Sequence, residues 1–305
     1  MPLLIAEGNI TDELCCVNAC IPSFPTRGIN LYFAHMDIIP ITTLDLPELR
    51  LYVSMKGKPF PYADTFFVAE GEKLVDRLLQ SDYEIVSVLL SPKWLEKYRE
   101  QLATRCRKGT PVFLGEEELL ATITGFAMHH SIMAIARVPE PIDIPQHLAR
   151  RSSPRVIVAL DGIVDAENMG GIVRNCAAFG VDLLIYAENC CSPYLRRAAR
   201  VSMGGIFAVP MVRVHNLAET LSALHGRIIA TYLDHGSAVL HEATFKEDVC
   251  LVFGNEGDGI SDEVLIACSE RMWIPMATNS SSLNIATACG IFLHEVVKGR
   301  KNACA

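Results

Sequence analysis

Between residues 156 and 253, short apolar runs at 156–160 (VIVAL), 182–186, 227–233 and 249–253 (VCLVF) alternate with helix-compatible stretches at 170–179, 193–202 and 217–224. This alternation constrains the fold most, because strands separated by helices pack as a parallel sheet with helices on its faces, an α/β architecture. Ligands of such sheets gather beyond the carboxyl ends of the strands. Three stretches that break the apolar pattern begin at or just after such ends: residues 160–180 (LDGIVDAENMGGIVRNCAAFG), 253–261 (FGNEGDGIS) and 274–284 (IPMATNSSSLN). They are expected to converge in space.

Ahead of this region, residues 65–69 (TFFVA), 85–90 (IVSVLL) and 132–138 read as strands and 71–79 and 94–105 as helices, forming a smaller α/β module. Residues 139–154 (PEPIDIPQHLARRSSP) combine prolines, serines and paired arginines and read as a linker. A chain of 305 residues is expected to hold two domains, because single cores stop growing near ~250 to 300 residues. The divisions are 1–50, an extension whose role is open; 51–140; a linker at 141–154; and 155–305.

About half the residues are apolar and a fifth charged, enough to bury a large core. No apolar run approaches the ~20 residues that span a bilayer, and the N-terminus MPLLIAEGNITDEL lacks a basic segment followed by a long apolar one. The expected location is cytoplasmic. Eleven cysteines, none in a CxxC spacing, read as reduced thiols. Cys15, Cys16 and Cys20, with His35 as a fourth group, form one weak metal pattern, and no metal is expected. A net charge of -8 argues against broad phosphate binding, but arginines concentrate at 150, 151 and 155 and at 196, 197 and 200. Alone, such a run reads as a solvated face.

Taken separately, the three stretches have ordinary readings. A dinucleotide fingerprint does not fit, since Asp161-Gly162 is followed by seven residues before the next glycine. FGNEGDGIS suits a surface turn as well as a ligand loop. Asn168 suits a helix N-cap, Glu256 a solvated carboxylate, Ser202 a cap, and Asn284 the start of the last helix.

Together the stretches resemble the SpoU branch of the SPOUT superfamily, the TrmH-like RNA 2′-O-ribose methyltransferases, over residues 155–298. Asn168, Gly170, Arg174 and Ala178-Phe179-Gly180 match the first motif. Gly254, Glu256 and Gly259 match the second, Ile274-Pro275-Met276 and Ser282-Leu283-Asn284 the third, and Arg200, Ser202 and Gly204 a short R-x-S-x-G element. Residues 65–138 are similar to the ribosomal-protein-like substrate-binding domain of such enzymes. The resemblance implies a deep trefoil knot in the C-terminal parallel-sheet domain, S-adenosylmethionine as cofactor, and rRNA or tRNA as partner. It places cofactor contacts at Thr231, Gly254, Ile274, Met276, Leu283 and Asn284, and RNA contacts at Arg200 and Ser202. Glycines 254, 257 and 259 would let the backbone approach the adenine and adopt positive φ.

Methyl transfer from a sulfonium to a ribose hydroxyl needs an in-line approach, loss of a proton and stabilisation of a developing oxyanion. The resemblance gives the catalytic roles to Arg174, Asn168 and Glu256. A guanidinium stays protonated, so Arg174 is read as a phosphate clamp and oxyanion stabiliser, with Asn168 orienting Arg174 or the ribose and Glu256 holding the first motif. Two positions depart from the family pattern: Thr278 replaces a glycine of the third motif, and the usual HQG turn reads His129-His130-Ser131. The rival reading from another class is a catalytically inert RNA-binding knot protein or assembly factor. Residues 283–297 (LNIATACGIFLHEVV) are too apolar for a solvated helix, which predicts a homodimer. Sedimentation at micromolar concentration is expected to give a dimer, and a stable monomer would overturn that expectation.

Overall fold

The computed structural model describes residues 36–53, 64–124, 131–232, 236–277 and 282–301. Cys15, Cys16, Cys20, His35, His129, His130 and Thr278 lie outside them. Two sheets carry the chain. The first has the order β1-β4-β3-β5-β2, built from β1 (Asp37–Pro40), β2 (Phe66–Glu70), β3 (Ile85–Leu90), β4 (Pro111–Leu114) and β5 (Ile132–Arg137). Strand β5 runs antiparallel to both β2 and β3, and the other pairs are parallel. Helices α1 (Arg50–Val53), α2 (Glu72–Leu79), α3 (Pro92–Arg105) and α4 (Glu117–Thr124) complete this unit. Residues 36–50, from the extension whose role the pattern left open, supply edge strand β1 and the buried Met36, Ile41 and Leu49, and Tyr52 just beyond them is buried as well. The Tyr52 hydroxyl lies 2.7 Å from the Ser87 hydroxyl, so this buried phenol has a partner.

The connector is not a free linker. Asp143 caps a short helix, α5 (Ile144–Ala149), by accepting the Gln146 N–H at 2.8 Å. Its Leu148 is buried. The His147 Nε2 lies 3.0 Å from the Asp182 carbonyl, and Arg155 Nη1 donates to the Leu148 carbonyl at 3.0 Å. Local capping and one apolar anchor pin a stretch that its prolines and serines mark as a spacer.

The second unit holds β6 (Val156–Leu160), β7 (Leu183–Ala187), β8 (Met211–Val214), β9 (Arg227–Thr231), β10 (Ala238–Val239), β11 (Val249–Phe253) and β12 (Glu270–Trp273). They form an all-parallel sheet in the order β10-β12-β9-β11-β6-β7-β8. Every residue of β6, β7 and β11 is buried, as expected for central strands covered on both faces. The helices are α6 (Ala166–Phe179), α7 (Arg196–Val201), α8 (Leu217–Ser222), α9 (Asp262–Ala267) and α10 (Ile285–Lys301). Helix α6 starts ahead of residue 170, because Asp165 caps it by accepting the N–H groups of Glu167 and Asn168 at 2.8 and 2.9 Å. It ends where Gly180 turns left-handed with φ 68°. Strands β8, β10 and β12, short or at the sheet edge, leave too little apolar pattern to be legible.

The described cysteines, at 106, 176, 190, 191, 250, 268 and 289, are all free. Burial pushes the thiols of Cys106, Cys191 and Cys268 up to about 11, so they stay protonated and act as small hydrophobes.

One ionic clamp ties the start of β6 to the start of β11. The Asp248 carboxylate accepts from the Ser153 hydroxyl at 2.8 Å and from the Arg155 N–H and Nε at 2.7 Å each. Burial pushes the Asp248 carboxyl up, but the Arg155 guanidinium, the Arg155 N–H and the Ser153 hydroxyl together outweigh it and hold the group below its ordinary range. A carboxyl depressed in the folded state adds stability above its unfolded value, about 3.9, and loses it as pH falls through the folded one. Asp248→Asn is therefore expected to cost about 1–3 kcal/mol at pH 7. In urea titrations that gap should close below about pH 4.

Candidate active site

The loop that follows β11 closes on itself. Asn255 and Gly259 exchange backbone hydrogen bonds at 2.8 and 3.0 Å, and the Asn255 Oδ1 accepts the N–H groups of Gly257 and Asp258 at 2.7 and 3.1 Å. A side chain at Gly254 would put Cβ 2.3 Å from the Gly259 carbonyl, so close backbone approach demands glycine there. Gly259 has φ 76°. Gly257 has neither a positive φ nor a backbone neighbour in the way, so the expectation of positive φ holds for one of the three glycines.

Asn284 joins the three motif stretches. Its Oδ1 accepts the N–H groups of Ala286 and Thr287 at 3.0 and 3.2 Å, capping α10. That use of the oxygen leaves the Nδ2 as a double donor, to the Asn168 Oδ1 at 2.7 Å and the Glu256 Oε1 at 3.1 Å. The same Glu256 oxygen accepts the Ile285 N–H at 3.3 Å. Asn168 is only 9% exposed; Glu256 faces solvent. Asn168, Glu256 and Asn284 therefore form one hydrogen-bonded cluster at the N-terminus of α10.

Arg174 stands apart from it. Six residues beyond Asn168 on α6, it is displaced along the helix by roughly 9 Å and rotated to another face. There it lines a groove of about 660 Å³ between α6 and α10 with Gly171, Phe179, Ala286, Gly290 and Ile291. The side chain is exposed, and no ion pair or hydrogen bond joins it to the other described residues. Of the expected partners, Asn168 to Arg174 or the ribose and Glu256 to the first motif's arginine or asparagine, neither side chain reaches Arg174 within one chain; both are engaged by Asn284.

Thr231, Ile274, Met276 and Leu283 line a second, apolar cavity of about 100 Å³ with Trp273 and Phe292. This is below the ~300 Å³ of typical whole-ligand pockets, so it suits one planar ring. The Thr231 hydroxyl donates to the Val252 carbonyl at 2.9 Å, leaving its oxygen free to accept. Gly254 and Asn284 lie outside this lining, in the closed loop and the polar cluster. Residues 278–281, between Met276 and Leu283, are outside the described residues.

Of the two expected RNA contacts, Arg200 is exposed at the end of α7. Ser202 is 1% exposed and donates its hydroxyl to the Ala199 carbonyl at 2.6 Å, so its side chain has no surface to offer. The arginine cluster is partly structural as well, since Arg155, Arg196 and Arg197 are paired with Asp248, Glu70 and Glu167.

Two residues that the motif reading passed over hold the site together. Asp161, buried at the end of β6, accepts from the Asn189 Nδ2 at 3.0 Å and the Ser261 N–H at 2.8 Å. Asn255 reaches back to donate to the Gly162 carbonyl at 2.7 Å. A carboxylate directly after an all-apolar strand was the available signal for Asp161, and an asparagine two residues before a glycine that for the turn at Asn255.

A family model described as the SpoU rRNA Methylase family matches residues 155–294. An uncharacterized tRNA/rRNA methyltransferase of Mycobacterium tuberculosis is 32% identical over 258 residues, covering 82% of this chain and 87% of that protein. The chain belongs to the SpoU rRNA methylase family. A second model, RNA 2′-O ribose methyltransferase substrate binding, matches residues 68–142 of this SpoU-family chain. The 23S rRNA (guanosine-2′-O-)-methyltransferase RlmB of Acinetobacter baylyi is 28% identical over 240 residues, 75% of this chain and 96% of that protein. Among solved structures, an AdoMet-bound rRNA methyltransferase from Sinorhizobium meliloti superposes with a TM-score of 0.74 at 26% identity, covering 86% of this chain and 98% of that one. The SpoU methyltransferase AviRb from Streptomyces viridochromogenes shares the fold, with a TM-score of 0.71 at 22% identity over 84% of this chain and 100% of that one.

The Asn284 cluster gives a direct test of this geometry. Asn284→Asp preserves the helix cap but sets a carboxylate against Glu256 and the Asn168 oxygen, and is expected to cost about 1–3 kcal/mol in chemical denaturation. Adding Glu256→Gln should recover part of that loss; no recovery would show that the Asn284–Glu256 bond is unimportant.

Proposed function

We propose that this chain transfers a methyl group from S-adenosylmethionine to a ribose 2′-hydroxyl of RNA, acting in the cytoplasm as a homodimer. The observation that carries the reading is the convergence of all three motif stretches at Asn284, beside an apolar cavity that suits a flat purine. The names of the relatives support rRNA or tRNA as the substrate class, with 23S rRNA the substrate named for RlmB. Among the described residues no helix is long and apolar enough to cross a membrane, which is compatible with the cytoplasmic assignment.

Ile274, Met276 and Leu283 would hold the adenine by apolar contact, with Thr231 at its edge and the Gly254 loop beside it. When bound, S-adenosylmethionine supplies an electrophilic methyl on a sulfonium. The chemistry this would supply is methylation of the ribose oxygen, with the thioether as leaving group and the hydroxyl proton passing to water, which leaves this chain's residues to orient the hydroxyl and stabilise its developing charge. Arg174 is assigned to clamp an RNA phosphate and stabilise the oxygen as it becomes anionic, a role suited to a fork that stays charged. Asn168 and Glu256, locked by Asn284, set the wall of the site, and Arg200 offers a further phosphate contact.

The homodimer resolves the separation of Arg174 from the cluster. Its groove is lined mostly by small and apolar side chains of α6 and α10, the kind of surface a second copy covers. A two-fold axis through the groove would bring Arg174 of one subunit to the cofactor cavity of the other. The knotted threading implied by the family belongs to the same proposal.

Arg174→Ala is expected to abolish ribose methylation, a loss of at least about a hundredfold, while cofactor affinity stays within about twofold, since the guanidinium is assigned to RNA and not to the cofactor. The readout is labelled methyl transfer to total RNA from cells lacking the chain, with cofactor binding by calorimetry. Full activity in the variant would refute the catalytic assignment. Absence of transfer by the unmodified protein, with cofactor bound, would favour the inert RNA-binding reading.

A further inference from the structure

Residues 194–207 carry a set of contacts between the two units, beside an ion pair of Arg213 with Asp64 at 3.5 Å. The Tyr83 hydroxyl of the first unit donates to the Ile206 carbonyl at 2.8 Å and lies 3.2 Å from the Tyr194 hydroxyl. Phe67 packs against Tyr194 and Phe207 with ring centroids 5.2 and 6.1 Å apart, and Tyr83 meets Phe207 edge-on at 5.2 Å. Glu70, buried at the end of β2, is paired with Arg196, so separating the units would strand a carboxylate without its counter-charge.

At the centre of this segment two neighbouring glycines face opposite ways. Met203 (φ 53°) and Gly204 (φ 92°) are both left-handed, which reverses the chain. A Cβ at Gly204 would lie 2.7 Å from the Cγ and 3.1 Å from the Cβ of Arg77, on α2 of the first unit. A Cβ at Gly205 would lie 3.0 Å from the Val173 carbonyl and 3.3 Å from the Arg174 Cα, on α6. Gly204-Gly205 is thus a thin wedge, with the Arg77 stem seated on one side and the backbone of α6 at Arg174 on the other. Neither side has room for a methyl group without displacement, so a shift of α2 is passed to α6.

Resting on the methyltransferase reading above, we infer that Arg77 is a positioning residue for the reaction: its aliphatic stem, pressed on the Gly204-Gly205 wedge, sets where α6 presents Arg174. The substrate-binding unit thereby holds the catalytic guanidinium in register with the RNA that it engages. Long basic side chains commonly pack their stems on a surface while the charged head stays in water, and Arg77 is exposed overall. The stem and the charge can therefore be separated by substitution.

The test compares Arg77→Ala, which removes the stem, with Arg77→Met, which keeps an apolar chain of similar reach without the charge. Labelled S-adenosylmethionine and ribosomal RNA from cells lacking the chain are the substrates. Arg77→Ala is expected to lower kcat at saturating RNA by about tenfold, because small misplacements of a reacting group are costly, with KM for RNA and cofactor affinity within about twofold. Arg77→Met is expected to restore kcat. An unchanged kcat in Arg77→Ala, an equal loss in Arg77→Met, or a parallel fall in cofactor affinity would each overturn the inference. Hydrogen exchange of the α6 amides at residues 173–177 gives a readout that does not need turnover: it should quicken in Arg77→Ala and return to the original rate in Arg77→Met. If the unmodified protein transfers no methyl group, the activity reading fails by itself, and unchanged α6 exchange in Arg77→Ala would then sink the wedge separately.

Discussion

A buried carboxylate at the carboxyl end of the central strand organises the functional edge of this protein. Asp161 is 4% exposed and has both oxygens used, one by Asn189 after β7 and the other by the Ser261 N–H after β11. Its own N–H donates to the Phe253 carbonyl at 2.9 Å. A charge in so dry a position is tolerated only when fully hydrogen-bonded, so three loops must meet there for the group to be satisfied. Asn255 and Asn189 add bonds to the carbonyl and N–H of Gly162. The start of α6, the Gly254 loop and the start of α9 are thereby placed relative to one another before any ligand is considered.

The cluster at Asn284 builds on that frame. One amide side chain caps α10 with its oxygen and bridges two motif stretches with its nitrogen, so the ordinary reading of Asn284 as a helix start and its functional reading are the same geometry. The same economy is seen in the arginines. In an acidic protein, Arg155, Arg196 and Arg197 are engaged by carboxylates, whereas Arg174 and Arg200 are exposed and form no ion pair among the described residues. Two exposed guanidiniums without an ion pair, on α6 and at the end of α7, are thus available to phosphate in a chain whose net charge is -8.

Much of the central architecture was legible. VIVAL and VCLVF became β6 and β11 with unchanged bounds, because five consecutive apolar residues between polar ones leave a buried parallel strand little choice. Weak elements were not legible. Strand β1 lies in a stretch without period, β10 has two residues, and α5 is held by one cap and one leucine inside a proline-rich stretch. Ser202 reads as a functional serine in its motif, yet its hydroxyl is consumed one turn back on α7.

By itself, the sequence determined that the chain has an α/β parallel sheet, that three polar stretches lie at its carboxyl edge, and which family it belongs to; periodicity and ordered motifs are local properties and survive without coordinates. Only the tertiary structure decided which side chains meet. It set Asn284 between Asn168 and Glu256, put Arg174 on a different face, and seated the Arg77 stem of the first unit against Gly204 of the second. Such pairings depend on the crossing of elements distant in the chain, and directional hydrogen bonds and close packing select among crossings that one pattern of apolar residues permits equally.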